Sequence, residues 1–516
     1  MSRWMVVLLA LTAVSLPAKS QTVRVEGGEI SGTATKTPRV IAYKGIPYAA
    51  PPVGSLRWHA PEAVVAWQGA RKADQLPPMC MQNESDPKGA FYWGHVPASE
   101  DCLYLNVWTP AKSADDRLPV MVWIHGGAFR VGWGGSKFID GEGLAAQGVV
   151  LVTINYRVDV FGFLAHPALR QESEHHVSGN YGTLDQIAAL QWVQENIAAF
   201  GGDPKQVTLF GQSAGAASVC DVMASPLAKG LFIRAIGESM GCFGGMPKLA
   251  DAEQAGAKFA AAANAASLAE LRAEPAEELL KVKGGFPFRP IVDGYVWSKD
   301  TSAIFRDGEQ NRVPVLVGSN SDEGTVLGVP PESAADFVQM AKRQYKGQAD
   351  DFLRLFPANT NAEAMSSFYA FQRDTMAFQE RMWSRAAARS GKPAYRYYFS
   401  HSSPIPDGMY TEQARNPLGA FHTAEIVYVF RNLDARPWSW TDTERKLSQT
   451  MSAYWVNFAK KGDPNGPGLR KWPAADATND VLLEFGQSSK PMVRQGLDKP
   501  QLDFFEEFES KRLAAN

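Results

Sequence analysis

The 516-residue sequence predicts an α/β fold: a large, mostly parallel central sheet flanked by helices, with helical insertions. Three observations carry this expectation. Short apolar runs recur that are continuous rather than alternating, as strands covered on both faces require. Stretches of helical period lie between them, and strand–helix–strand alternation is the mark of βαβ units. One of these strands also passes abruptly into a helix through Gly-Gln-Ser-Ala-Gly, residues 211–215.

Taken in chain order, the N-terminus reads MSRWMVVLLALTAVSLPAKS. Arg3 gives a positive start, residues 5–16 an apolar core too short to span a bilayer, Pro17 a break, and Ala18-Lys19-Ser20 a small-x-small site. A secretory signal over residues 1–20, cleaved after Ser20, is expected, with a secreted or periplasmic mature chain. No later run reaches transmembrane length. Apolar residues make up 45% of the chain and the net charge is -2. That balance gives no electrostatic case for nucleic acid or an anionic membrane surface.

Four cysteines follow, Cys80, Cys102, Cys220 and Cys242. In an exported chain an even count favours disulfides. Pairing nearest neighbours is the simplest of the three connectivities, with two buried thiols the alternative for Cys220 and Cys242. No Cys/His spacing resembles a zinc site.

The strand-like runs are Leu118–Ile124 (LPVMVWI), 149–155 (VVLVTIN), 206–210 (QVTLF), 232–237 and 313–317 (VPVLV). A helix is expected over 183–200, with Ile187, Leu190, Val193 and Ile197 at helical spacing and Gly201 and Gly202 as its stop. Residues 250–283 are Ala- and Glu-rich and read as a helical excursion from the sheet. Ser267 and Glu270 form a capping box there, and Pro275 fits a first turn. Nothing marks a flexible linker, so residues 21–516 are expected to form one domain.

The strand 206–210 and a helix over 214–223 leave Ser213 at a sharp turn. Side chains two residues before and after it would collide with each other and with neighbouring strands, and Gly211 and Gly215 remove them. The serine hydroxyl then stands exposed beside a helix N-terminus, the geometry of a nucleophile elbow. Serine needs a base, and in this kind of fold the order is serine, acid, histidine. Of eight histidines, only His401 and His422 follow Ser213. The acid belongs at the end of a later strand, where VPVLVGSNSDEG offers Asp322 and Glu323; Asp293 in FRPIVDG is the rival. The run LPVMVWI leads into His125-Gly126-Gly127-Ala128-Phe129, whose small residues let backbone N–H groups approach a developing negative charge. Ala214 offers one more N–H.

These residues resemble the type B carboxylesterase family, the cholinesterase-like branch of the α/β-hydrolases. YKGIPYAAPPVGSLRW, SEDCLYLNVWTP, the run from GNYGTLDQ to TLFGQSAGAAS, and WVNFAKKGDPNGPG each resemble a family segment, and the likeness extends over residues 27–485. The resemblance implies Ser213 as nucleophile, Glu323 as acid, His422 as base, and Gly127, Ala128 and Ala214 as oxyanion donors. It implies a Cys80–Cys102 disulfide and Ser239 as a support for the acid. No metal or organic cofactor is implied. The implied activity is hydrolysis of small-molecule carboxylic esters through an acyl-enzyme, the alternatives being a non-catalytic binding relative or a lipase for longer chains. Phe91, Tyr92 and Trp93, with Phe129 and Trp133, either line an aromatic gorge or pack in the core. Three departures bear on the substrate: Gln212 where glutamate is common, Met240 where glycine is common, and Asp159 at another frequent glycine.

Overall fold

The computed structural model describes residues 21–414 and 417–515; the expected signal, residues 1–20, lies outside the described residues. Eleven strands form the main sheet: β1 (Thr33–Ala34), β2 (Ile41–Pro47), β3 (Tyr104–Thr109), β4 (Leu118–Ile124), β5 (Val150–Ile154), β6 (Gly202–Gln212), β7 (Arg234–Glu238), β8 (Val315–Asn320), β9 (Ala394–Phe399), β10 (Val481–Phe485) and β11 (Met492–Gln495). Their spatial order is β11-β10-β9-β8-β7-β6-β4-β5-β3-β2-β1. The seven strands from β5 to β10 along this order run parallel, and antiparallel strands close both sides.

Both faces of the sheet are covered, which is why its central strands read as continuous apolar runs. Along β4, Val120, Val122 and Ile124 enter one apolar cluster while Met121 and Trp123 enter the other. One cluster takes in helix α1 (Tyr181–Asn196), helix α2 (Ala214–Ala224) and the 29-residue helix α3 (Asn361–Arg389). The other rests on helix α4 (Asp442–Lys461), through Leu447, Met451, Trp455 and Phe458.

Expected and observed elements agree closely in the centre. Helix α1 continues as a 3₁₀ turn to Phe200, and Gly201 ends it at φ 75°, the left-handed stop that glycine supplies. The excursion after β7 breaks into helices Leu249–Ala262, Leu268–Ala273 and Ala276–Lys281. Only half of the expected capping box forms. Ser267 Oγ accepts the Glu270 N–H at 3.2 Å, but the Glu270 carboxylate reaches the N–H of Ala266 instead. Pro275 sits just ahead of its helix as the N-cap.

Both disulfides are made, Cys80–Cys102 and Cys220–Cys242, each closing 22 residues of sequence. The second joins α2, which follows the elbow, to the segment leaving β7. Among the described residues no helix is long and apolar enough to cross a membrane. Replacing Cys220 and Cys242 together by alanine is expected to lower the unfolding free energy by roughly 3 kcal/mol. Urea unfolding measures this, and an unchanged midpoint would deny the second bridge a structural role.

Candidate active site

All the parallel strands end on the same edge of the sheet, where ligands of open α/β folds bind. Strand β6 ends at Gln212 and α2 begins at Ala214, so Ser213 makes the whole turn, at φ 57° and ψ -128°. Its N–H donates to Glu238 O at 2.8 Å, and its carbonyl accepts from Ala217 N at 2.9 Å. The flanking glycines have the reason expected. A Cβ on residue 211 would stand 2.6 Å from the carbonyl of Gly215, and one on residue 215 only 2.1 Å from Ile124 O. Below 3 Å such contacts with backbone have no relief.

The two residues expected as acid and base meet. Glu323 opens a 3₁₀ turn just after β8 and is fully buried. Its Oε1 accepts the N–H of Asn320 at 2.8 Å and its Oε2 lies 2.5 Å from Nδ1 of His422, itself only 2% exposed. The rivals have other work. His401 lies between Gly486 O and Glu444. Asp293 accepts from Asn180 and from the N–H groups of Tyr295, Val296 and Trp297. Asp322 stitches two loops together, its N–H donating to Ala420 O and its carboxylate accepting from Ala420 N.

The imidazole stands beside the elbow. The carboxamide nitrogen of Gln212 is 3.3 Å from Nε2 and 3.4 Å from Nδ1 of His422. No hydrogen bond joins Ser213 Oγ to the ring in this structure; such contacts often tighten only around substrate. The sequence shows Gln212 as a missing charge, but its contact with the base is visible only in three dimensions. Phe91 meets His422 edge-on, with ring centroids 5.9 Å apart.

The loop after β4 is folded against the serine. A Cβ on Gly126 would lie 3.1 Å from Ser213 Cβ and 2.6 Å from Gln212 O. Gly127, Ala128 and Phe129 follow at φ 115°, 55° and 60°, a run of left-handed residues of the kind concentrated at functional sites. Two of their carbonyls are engaged: Gly127 O accepts from Arg130 and Val131, and Phe129 O from Asp159. Among the described residues, no hydrogen bond uses the N–H of Gly127, Ala128 or Ala214. His125 stacks on Tyr156 at 4.3 Å, and burial pushes its imidazole down to about 4.

Ser239 is fully buried at φ 58°, and its hydroxyl finds no hydrogen-bond partner. The support for Glu323 that the resemblance implies is therefore not made as a hydrogen bond. The aromatic expectation divides. Tyr92, Trp93 and Trp133 line a cavity of about 720 Å³ together with Glu84, His95, Glu277 and Lys281, and Ser213, Glu323 and His422 are not part of its lining. Phe129 packs on Phe163 and Phe91 faces the base. Among the described residues no group of three or more His, Cys, Asp or Glu side chains is arranged to hold a metal ion.

A model of the carboxylesterase family matches residues 19–505. Fumonisin B1 esterase of Sphingopyxis macrogoltabida is 36% identical over 502 residues, covering 92% of this chain and 89% of its own. Para-nitrobenzyl esterase of Bacillus subtilis is 36% identical over 491 residues, covering 90% and 94%. A solved structure of a PNB esterase superposes with a TM-score of 0.80 at 33% identity, over 94% of this chain and all of that one.

A methyl group at residue 126 would press on Gln212 O and on Ser213. Gly126→Ala is expected to lower kcat for a chromogenic ester about 100-fold or more, the effect of losing one oxyanion donor. KM should change little, and retention of full kcat would mean that this loop does not serve the reaction.

Proposed function

The chain belongs to the carboxylesterase family and is a carboxylic ester hydrolase, and from that premise we propose that it works through an acyl-enzyme on Ser213. The observation that carries this reading is the 2.5 Å contact between buried Glu323 and His422 beside the elbow. His422 Nε2 takes the proton of Ser213 as Oγ attacks the ester carbonyl carbon. The carbonyl electron pair moves to oxygen, where the free N–H groups of Gly127, Ala128 and Ala214 receive the negative charge. Collapse expels the alcohol, which leaves with the proton from His422. Water then attacks the acyl-enzyme by the same route, releasing the acid and restoring Ser213. Glu323 fixes the imidazole tautomer and stabilises the imidazolium as it forms.

One feature bears on substrate preference. Gln212 puts a neutral amide, not a carboxylate, against the base, so nothing at that position draws a cationic alcohol. The two disulfides and the N-terminal signal pattern support action in a secreted or periplasmic setting.

Hydrolysis of a p-nitrophenyl ester tests the reading. Ser213→Ala is expected to lose at least about 10⁴-fold in kcat, and Glu323→Gln about 10³- to 10⁴-fold, with both proteins folded. Activity of the serine variant within tenfold of the native enzyme would end the assignment.

A further inference from the structure

Acid and base are 99 residues apart in sequence, on separate loops. Their separation in space must be fixed to a few tenths of an ångström, because proton transfer is sensitive to misplacement on that scale. Asn320 touches both loops. It is the last residue of β8, which is paired on both sides in the sheet, and it is fully buried. Its backbone N–H donates to Glu323 Oε1 at 2.8 Å. Its carboxamide nitrogen donates to Phe421 O at 2.9 Å, one residue before His422, and to Glu425 Oε2 at 2.5 Å, three residues after it. A peptide carbonyl only accepts, so the Phe421 contact fixes which end of the carboxamide faces the base loop.

We propose that Asn320 is a positioning residue of the triad, gripping the acid by its main chain and the base loop by its side chain. This rests on the triad reading above and deepens it. The two grips are chemically separate, since every substitution except proline keeps the N–H that holds Glu323. Changing the side chain therefore releases only the base loop. That loop keeps other ties, namely the paired Asp322–Ala420 hydrogen bonds and the bond from Thr325 Oγ1 to Leu418 O. Loss of the carboxamide thus loosens His422 without detaching it. The titratable groups around the site are Glu323, His422, Glu425, Glu238, Glu380 and Tyr397. Among them Glu425 depends most directly on Asn320. Burial pushes its carboxyl up to about 7 and the charge of Glu323 adds to this, while the Asn320 carboxamide N–H opposes it most, followed by the charge of His422 and a backbone hydrogen bond.

The experiment uses the full-length enzyme with Asn320→Ala and Asn320→Leu, the second close to asparagine in volume and without either donor. Turnover is normalised to active sites titrated with an organophosphonate, so partial unfolding does not count as lost catalysis. In both variants kcat is expected to fall 10- to 100-fold with KM within twofold. A lower melting temperature with kcat within twofold of native would overturn the proposal. Ser213→Ala run alongside separates the two readings. An inactive serine variant beside fully active Asn320 variants defeats this inference alone, whereas an active serine variant defeats the triad itself.

Discussion

One close approach shapes the site: the start of helix α2 lies against the end of strand β4. Ile124 O occupies the place where a side chain on residue 215 would begin, 2.1 Å away. Only glycine permits the helix to start so near the strand. With the helix there, Ser213 has a single residue in which to reverse the chain, and it takes up φ 57° to do so. The same strand end then runs directly into the loop at Gly126, which backs onto Ser213 and Gln212. The positions of the proposed nucleophile and of the proposed oxyanion loop are thus two consequences of one backbone contact. A site assembled on a rigid sheet in this way holds its geometry better than one hung on free loops.

The base side of the site obeys a different constraint, that of polar groups removed from water. Glu323 and His422 are both buried, and each is held by partners of opposite hydrogen-bonding sense. Three further carboxyls lie in the same region. Burial drives Glu238 and Glu380 well above the ordinary carboxylate range and Glu425 to about 7, which favours their neutral forms. Each is tied by a single donor to one oxygen: Trp455 Nε1 for Glu238, Met240 N for Glu380 and the Asn320 amide for Glu425.

Much of this was legible in the sequence where one residue's neighbours in the chain decide its fate. The central strands could be read because burial on both faces leaves no polar alternation, as in LPVMVWI. The elbow could be read because its steric demand falls on residues two positions away. The choice between His401 and His422, or Asp322 and Glu323, could not be made from spacing. It depends on loops nearly a hundred residues apart, and there the resemblance to a family supplied what local pattern could not. The capping box at Ser267 half failed because Glu270 had a second backbone donor within reach at Ala266. The edge strands, too short to show a pattern, went unread, as did the contacts of Gln212 and Asn320, which arise only when distant loops close. Ser239, expected to support the acid, is buried with a hydroxyl that makes no hydrogen bond.

The most direct test of the central claim is the mass spectrum of the protein after reaction with a p-nitrophenyl phosphonate. One adduct per chain on the peptide carrying Ser213 is expected, formed at least about a hundredfold more slowly in His422→Ala, since the histidine is what makes this hydroxyl reactive. Labelling of a different serine, or labelling of Ser213 at an undiminished rate without His422, would contradict it.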